Sequence, residues 1–391
     1  MVTGERAVGH TARVLVICQL DAYANSLKPV AIEQFLRKRG HEVRIVDAYY
    51  LSRASHSKNS FASKLPSPHP GKVALYAIEA ASLLLTRRWK FGRHRLSYHL
   101  LVADHRLRSA ILASSLPLDS FDLVICETPY DAGVLARCTT ASTLYDCPAP
   151  WADEVYYDGR LTARQHAKLR RLELRIFEGV DHLAFHWESY TRYALDHCGI
   201  SGHNLLTLNF GCTPSAARAS FADPPRLVYL GNLSASFNDT PLLARLAASY
   251  PRIDVYGGPP PDPGLGLNYL GYAPSVDVLR QYQLGLVTCS HDALRQEGFS
   301  SKHLHYLSYG LPVLVPAWRR HLDLLQGSLP YTEQTFRSVI DAMSDQKSWQ
   351  AASDEAYAQA VRLRWEKTLR PLEDLLANRE SSPDGAADYS R

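Results

Sequence analysis

The residues with the clearest chemical pattern lie between positions 295 and 316, in the sequence RQEGFSSKHLHYLSYGLPVLVP. Gly298 allows a sharp turn at the start of this segment. Ser300 and Ser301 can cap a helix that follows the turn, which places Lys302 in the first turn of that helix. Unpaired backbone N–H groups at a helix start already favour an anion, and the lysine adds a full positive charge. The pattern predicts a pocket for a phosphate or diphosphate group.

The helix after this turn leads into a buried strand. Leu304, Leu307 and Leu311 are spaced to face a core, and Gly310 ends the helix. The apolar run at 313–315 is typical of a strand that is covered on both faces. A polar turn, a helix and a buried strand are the layout of a sugar and phosphate pocket at the edge of an α/β sheet, although ordinary α/β proteins also contain such turns.

Length and composition limit the class of protein. A chain of 391 residues predicts two domains or one large one, and 46% hydrophobic residues are enough to bury real cores. A net charge of +4 with a pI near 8.6 is too mild to indicate a nucleic-acid partner. The seven cysteines form no CxxC pair, which argues against a zinc site and a disulfide framework. The short apolar run at 14–18 lacks the features of a signal or membrane segment, so we expect a cytoplasmic protein.

Strand and helix patterns alternate in two series that are separated by an Ala-, Ser- and Pro-rich linker at 214–225. In the first series we predict strands at 13–18, 42–47, 121–126, 143–146 and 182–185, and helices at 29–39, 73–86, 98–115, 132–138 and 162–178. In the second series we predict strands at 226–230, 253–256, 284–288 and 313–315, and a helix at 240–249. The alternation predicts an α/β fold with two Rossmann-like, doubly wound domains facing each other across a cleft.

A patch of interleaved cations and aromatic side chains separates two of the predicted helices. Its residues are Arg87, Arg88, Trp89, Lys90 and Phe91. Such a patch can rest on an anionic membrane surface, which would place the protein at the inner face of the membrane. The simpler alternative is a solvated helix junction with two partly buried aromatic residues.

Five segments of the second half, taken in order, resemble the donor-binding half of GT-B glycosyltransferases. They are RLVYLGNLS at 226–234, RIDVYGG at 252–258, NYLGY at 268–272, VLRQYQLGLVTCS at 278–290 and SSKHLHYLSYGLPVLVP at 300–316. The chain is most similar to the bacterial exopolysaccharide glycosyltransferases and to the xanthan-type glucuronosyltransferase. The first half is similar more loosely, through FDLVICETP at 121–129 and STLYDCPAPW at 142–151.

The resemblance implies a domain plan and an activity. Residues 1–215 would bind the acceptor and residues 222–360 the donor. Trp365 and Glu366 resemble the family's closing helix, so 361–391 would cross back to the first domain and end in a tail. The implied activity is metal-independent transfer of a hexosyl or glycuronosyl group, without a cofactor, from a nucleoside diphosphate-sugar. UDP-sugars are favoured, and the acceptor would be a saccharide, a lipid-linked saccharide or a natural product.

The same resemblance assigns residues to the donor. Lys302 matches the family's pyrophosphate lysine, and Tyr272 matches a loop that packs on the base, although a plain surface tyrosine is a close alternative. The full set is Gly231, Asn232, Ser234, Tyr272, Glu297, Ser300, Ser301, Lys302 and His305. Two positions depart from the family pattern. His305 replaces a second glutamate, and Phe237, Asn238 and Asp239 stand where many relatives have Arg and Lys, so Arg295 would have to assist Lys302.

Acceptor-side candidates come from the first half. Asp146, at the end of a predicted strand, resembles the aspartate of the glucuronosyltransferase and is the candidate general base, with a loop or helix cap as the alternative. Asp153, Glu154 and Asp158 lie close by in sequence and could take the same role. Acceptor contacts are assigned to Asp21, Tyr23, Glu127 and Asp131. His186 fits a core or cleft histidine better than a catalytic one.

Two further functions are compatible with the pattern. A nucleotide-sugar epimerase uses the same fold and would isomerise a donor without an acceptor. A glycosyltransferase-like pseudoenzyme that serves as a partner subunit would explain the missing second glutamate and the missing Arg/Lys pair.

Overall fold

The structure is a computed structural model that describes residues 11–18, 27–47, 93–202, 204–233, 235, 237–298, 300–319 and 325–380. Several predictions fall outside this part of the chain: the helix at 73–86, the basic patch at 87–91, and the site residues Asp21, Tyr23 and Ser234. They stay predictions. Among the described helices, we find none that combines the length and the apolar character needed to cross a membrane.

The chain divides into two units. The first contains the chain up to Asn209 and again from Leu369, and the second is Phe210–Thr368. The chain returns to the first unit through a helix at 370–380. Leu369, just before this helix, and Leu372 and Leu376 within it are buried. Glu373 of this segment pairs with Arg39 at 2.9 Å.

A six-stranded sheet, in which all paired strands are parallel, forms the centre of the first unit. Its strands are β1 (Arg13–Cys18), β2 (Glu42–Asp47), β3 (Leu123–Cys126), β4 (Ser142–Cys147), β5 (His182–Phe185) and β6 (Leu205–Thr207). Its helices are α1 (Leu27–Arg37), α2 (Arg93–Ser115), α3 (Trp151–Tyr157), α4 (Ala163–Glu178) and α5 (Glu188–His197), with 3-10 turns at Leu118–Ser120 and Ala132–Arg137. The strand order is β2, β1, β3, β4, β5, β6.

The second unit has a second parallel six-stranded sheet. Its strands are β7 (Leu227–Leu230), β8 (Ile253–Tyr256), β9 (Asn268–Tyr269), β10 (Leu284–Leu286), β11 (Val313–Pro316) and β12 (Ser328–Tyr331). Its helices are α6 (Thr240–Ser249), α7 (Ala293–Glu297), α8 (Ser301–Ser308), α9 (Phe336–Ala342), α10 (Gln346–Arg362) and α11 (Trp365–Thr368), with 3-10 turns at Pro263–Leu265 and Val276–Gln281. Helix α12 (Arg370–Glu380) then returns to the first unit. The strand order is β12, β11, β10, β7, β8, β9.

Continuous apolar runs form the central strands of both sheets because helices cover a parallel sheet on both faces. Every residue of β3 and of β11 is buried. The predicted strands β1, β2, β5 and β8 and the predicted helix α6 have the bounds that the sequence indicated. The helix predicted at 132–138 is instead the 3-10 turn Ala132–Arg137, where Gly133 weakens helix formation.

The strand order of each sheet reverses beside its first strand. In the first sheet, β1 has β2 on one side and β3 on the other; in the second, β7 lies between β8 and β10. The connecting chains leave the sheet in opposite directions at such a point, which opens a crevice at the carboxyl ends of the two central strands. The topology therefore gives each unit one preferred place for a binding site.

Helix α3 was missed by the sequence patterns because its N-terminus is stabilised from another element. Pro150, in the N-cap position, has no side chain that could accept a hydrogen bond. The buried Glu173 carboxylate of α4 accepts the backbone N–H groups of Trp151 and Ala152 instead, the second at 3.1 Å. Burial raises the pKa of Glu173 to about 8, and the two backbone donors oppose this rise.

The Glu173 carboxyl should make stability depend on pH. Its folded pKa lies above the unfolded one, so its contribution to stability is full below about pH 4.5 and is lost as pH rises towards about 8. We expect Glu173→Gln to remove up to about 1.4 kcal/mol per pH unit from the slope of the unfolding free energy in this window. Urea unfolding at several pH values measures this slope for the wild type and for Glu173→Gln. Equal slopes for the two proteins would contradict the prediction.

Candidate functional site

The crevice of the second unit holds Lys302. This residue is the second of α8, which follows β10, and its side chain reaches back to β7 on the other side of the order reversal. Its Nζ donates to Tyr229 Oη at 3.0 Å and lies 4.2 Å from the centroid of that ring. One hydrogen bond leaves donor capacity on the ammonium, which has three N–H groups. The predicted position of Lys302 in the first turn of a helix is confirmed.

The turn after β7 gives the lysine room. Gly231 has φ +147°, and a Cβ at this position would lie 2.8 Å from Lys302 Nζ. The turn is held by Gly231 N–H donating to Tyr256 O at 2.9 Å. A Cβ on Gly258, after β8, would lie 2.9 Å from Asn232 Cα, so the two turns touch through their backbones. The ammonium therefore lies against bare backbone, as a phosphate-binding turn requires.

Two arginines add positive charge near Lys302. Arg295 is 9% exposed and its guanidinium lies 5.0 Å from the centroid of Phe237. Arg319 is 5% exposed and donates to Gly298 O. This hydrogen bond connects the turn after β11 to the residue that follows α7. Burial raises the pKa of the Cys289 thiol, and Arg319, Lys302 and Arg295 all oppose that rise. All three cations therefore act on the Cys289 thiol, which lies just after β10.

The remaining donor candidates lie on α7, on α8 and in the segment after β9. Glu297 is the last residue of α7, half-buried, and Tyr272 is 56% exposed. Ser300 occupies the N-cap position of α8, but its side chain makes no capping hydrogen bond, so the capping role predicted for it is wrong. Gly298 has an ordinary φ of −67°, so the turn there does not need a glycine. Burial lowers the pKa of the half-buried His305, which favours a neutral imidazole.

The first unit contains a buried charged cluster at the carboxyl ends of its strands. Lys28, the second residue of α1, and Asp146, on β4, both have fully buried side chains. The ammonium is 2.8 Å from Oδ1 and 2.7 Å from Oδ2 of the carboxylate. It also donates to Leu208 O, just after β6, at 2.7 Å. The ion pair joins α1 to β4, and the hydrogen bond to Leu208 O joins α1 to the end of the edge strand β6.

Two titratable groups surround the pair. Glu127, directly after β3, is buried, and burial together with the Asp146 charge holds its pKa well above the usual range. Burial also raises the pKa of Asp146, but Lys28 opposes this rise. His186, directly after β5, has its Nε2 3.8 Å from Asp146 Oδ2. The one ammonium of this cluster is thus paired with Asp146, and Lys28 opposes the rise in the pKa of both carboxyls.

Other carboxylates proposed from the sequence are occupied by structural partners. Asp131 forms a two-point ion pair with Arg108 of α2, with both N···O distances at 2.7 Å, and also accepts from Thr128 Oγ1 at 2.9 Å. Asp153 is 1% exposed and is bound by His166 and Arg170 of α4. The structure therefore brings Glu127 and Asp146 together and commits Asp131 and Asp153 to packing contacts; the assigned roles stay predictions.

Sequence reasoning missed two residues of these clusters. Lys28 lies just before the helix predicted at 29–39, and Arg319 lies beyond the strand predicted at 313–315. Each follows a predicted strand and its loop, so a search for charged residues beyond strand ends would have found both. Among the described residues, no group of three or more His, Cys, Asp or Glu side chains is placed to hold a metal ion.

Removal of the Lys28 ammonium should leave an uncompensated buried charge. We expect Lys28→Met to lower the unfolding free energy by about 3–5 kcal/mol at pH 7, and by less in acid, because burial raises the pKa of Asp146 and protonation neutralises its carboxylate. Arg37→Met, on the same helix, is the control, because Arg37 pairs with Glu33 while its side chain is 58% exposed, and such pairs contribute less than about 1 kcal/mol. Equal losses in the two variants would contradict the assignment.

Comparison of the sequence with protein-family models and with curated proteins finds no match. The fold, in contrast, matches solved structures. A glycosyltransferase from Rickettsia africae ESF-5 has a TM-score of 0.58 and 10% identity, covering 95% of this chain and 99% of that one. Sucrose-phosphate synthase from Thermosynechococcus elongatus has a TM-score of 0.63 and 12% identity, covering 95% and 99%. The pneumococcal O-GlcNAc transferase GtfA, in complex with UDP and GlcNAc, has a TM-score of 0.53 and 17% identity, covering 71% and 60%. These similarities and the two parallel sheets confirm the predicted pair of Rossmann-like domains and show that the chain has the GT-B glycosyltransferase fold.

Proposed function

We propose that the protein is a glycosyltransferase that moves a sugar from a nucleoside diphosphate-sugar to a hydroxyl group of an acceptor. The observation that carries this proposal is the Lys302 ammonium, which lies against the Gly231 turn at the order reversal of the second sheet. A diphosphate needs positive charge and close backbone approach at one place, and this turn provides both.

Lys302 would act on the leaving group. When the bond between the sugar and the diphosphate breaks, negative charge develops on the diphosphate oxygens, and a fixed ammonium stabilises it. Arg295 and Arg319 add to the positive field around the same point. We propose that these cations and the N-terminus of α8 allow transfer without a metal ion.

UDP-sugars are the favoured donors in this proposal. GtfA, one of the proteins with a similar fold, has UDP and GlcNAc in its complex. Tyr272 is 56% exposed, and the family resemblance implies that its ring stacks on the base. A saccharide, lipid-linked or small-molecule acceptor and hexosyl or glycuronosyl transfer are proposed on the resemblance alone.

The acceptor side would be the buried cluster of the first unit. We propose that the Asp146 carboxylate drives removal of the acceptor proton, because it lies at the carboxyl ends of the strands and Lys28 keeps it ionised. Burial and the Asp146 charge raise the pKa of Glu127 in the same cluster. The side chain of Asp146 has no solvent exposure in this cluster.

Loss of the Lys302 charge should remove donor binding and turnover while the fold is kept. We expect Lys302→Met to weaken UDP binding about 10–100-fold, the equivalent of one or two charge-assisted hydrogen bonds, and to lower UDP release from UDP-glucose at least about 100-fold. Calorimetry and a UDP-release assay measure these effects. Lys347→Met, on the exposed side of α10, is the control and should leave both unchanged.

A thermal-shift panel with UDP, GDP and dTDP identifies the donor nucleotide, since a ligand that binds only the folded state raises its melting temperature. Wild-type activity retained in Lys302→Met would contradict the proposed role. Stabilisation by none of the three nucleotides would favour the pseudoenzyme, and an isomerised sugar formed without an acceptor would favour the epimerase.

A methyl group on the turn should displace the lysine. We expect Gly231→Ala to weaken UDP binding at least about tenfold, because its Cβ would lie 2.8 Å from Lys302 Nζ and displace it, in addition to strain of about 1–3 kcal/mol from the backbone angle. Gly266→Ala also places a methyl group at a positive φ, +63°, but with no atom within 4 Å of the new Cβ, and should bind UDP normally. Equal UDP affinity of the two variants in calorimetry would refute the steric argument.

A further inference from the structure

Arg319 is a buried cation that has no counter-ion in the part of the chain that the structure describes. It follows β11 and is 5% exposed. Its Nη2 donates to Gly298 O, while its Nε is buried and has no hydrogen-bond partner among the described residues. An arginine side chain stays charged in proteins, and a buried charge is costly unless an opposite charge pairs with it. The guanidinium therefore has both a charge and a donor to offer to an anion.

The acidic side chains of the neighbouring segment do not neutralise Arg319. Burial raises the pKa of the Cys289 thiol, and of the charges that also act on it Arg319 opposes this rise and Asp292 adds to it. Asp292 is the N-cap of α7, and its Oδ1 accepts the Arg295 backbone N–H at 2.8 Å. Within the described residues, neither Asp292 nor Glu297 at the end of α7 forms an ion pair with Arg319. The acidic groups nearby in the sequence thus serve other contacts.

A second buried polar group lies at the end of the adjacent strand. Thr288 follows β10 and is 2% exposed, and its Oγ1 has no hydrogen-bond partner among the residues that the structure describes. Strand β10 pairs with β11, and Val287 N–H donates to Leu314 O at 3.0 Å. Buried polar groups in native proteins are nearly always hydrogen-bonded. Two such groups at the ends of adjacent strands indicate a polar ligand at this place.

This place is separate from the position of Lys302. The Lys302 ammonium lies against the Gly231 turn, which follows β7, whereas Arg319 follows β11, and β10 lies between these two strands. Neighbouring strands are about 4.8 Å apart, so two spacings separate the strand ends by roughly 10 Å. The edge of the sheet therefore offers two positive positions, which suit one molecule that carries two anionic groups.

We propose that Arg319 binds the carboxylate of a glycuronosyl donor, a nucleoside diphosphate-sugar whose sugar has a carboxyl group in place of the terminal hydroxymethyl group. Lys302 would hold the diphosphate of the same molecule. This inference rests on the proposed transferase function and selects glycuronosyl transfer over transfer of a neutral hexose.

Arginine is suited to this discrimination. Its planar guanidinium presents parallel N–H donors that match the two oxygens of a carboxylate, and such charge-assisted pairs are the strong ones. A hydroxymethyl group offers no charge, so a neutral sugar would leave the buried guanidinium unpaired. A site that contains a buried polar group without a partner rejects a ligand that lacks the matching group. Arg319 is therefore a specificity-determining residue in this proposal.

The test measures donor binding to the full-length chain, so that no acceptor is needed. Calorimetry is carried out with UDP, UDP-glucose and UDP-glucuronic acid. We expect the wild type to bind UDP-glucuronic acid at least about tenfold more tightly than UDP-glucose, the effect of a hydrogen bond to a charged group. In Arg319→Gln the two donors should bind within about threefold of each other, and UDP affinity should stay within about threefold of wild type.

Arg252→Gln is the matched control. The Arg252 guanidinium also donates to a backbone carbonyl of the second unit, Pro224 O at 3.4 Å, but it lies before β8, at the opposite edge of the sheet. This variant should keep the preference for UDP-glucuronic acid. Arg319→Lys keeps a positive charge without the guanidinium fork and should retain part of the preference.

Three results would decide against the inference. A wild type that binds UDP but does not prefer UDP-glucuronic acid overturns it, whether or not the variants fold, and leaves the proposed function intact. Equal weakening of UDP and both donors in Arg319→Gln also overturns it, because that is the result of a diphosphate contact or of a damaged fold. Wild-type protein that binds none of the three ligands contradicts the proposed function itself, and the inference falls with it.

Discussion

Parallel pairing of every strand is the constraint on which the candidate sites depend. Because the strands of each sheet run in one direction, all turns that follow them emerge at one edge, and groups far apart in sequence meet there. In the second unit this edge brings Lys302 to the turn at Gly231, although β8, β9 and β10 lie between β7 and α8 in the sequence. In the first unit it gathers Glu127, Asp146 and His186 at the carboxyl ends of β3, β4 and β5. The order reversals at β1 and β7 then choose the place along the edge.

Charge burial gives the two clusters different properties. Lys28 is fully enclosed and spends its hydrogen bonds on Asp146 and Leu208 O, so it stabilises the native arrangement and fixes which carboxyl carries the charge. Lys302 is half-buried and donates to Tyr229 Oη alone within the described residues, so its charge remains available to an anion. A low dielectric strengthens both interactions, but only the second cation has capacity for a ligand. The two lysines thus differ in the donor capacity that their protein contacts leave.

Asn238, one of the residues that depart from the family pattern, contacts Tyr229. The chain lacks the usual Arg/Lys pair after Gly231, and Asn238 instead accepts from Tyr229 Oη at 2.7 Å and donates to Asn232 O at 2.5 Å. These hydrogen bonds position Tyr229, whose Oη accepts a hydrogen bond from Lys302 Nζ. Positive charge is supplied from the other side of the order reversal, by Arg295 on α7 and by Arg319 after β11. The positive charge near Lys302 thus comes from residues that follow β10 and β11.

The sequence by itself determined the fold class, most strand positions and Lys302, because apolar runs, helix starts and turn residues are local signals. It did not identify Lys28 or Arg319, it misjudged the capping role of Ser300, and it missed α3, whose N-terminus is capped by Glu173 from α4. Those features were decided by the tertiary structure. Lys28 and Asp146 are 118 positions apart, and Lys302 and Tyr229 are 73 apart. The strength of an ion pair or hydrogen bond depends on distance and burial in the folded chain, and neither quantity is written in the spacing of residues along it.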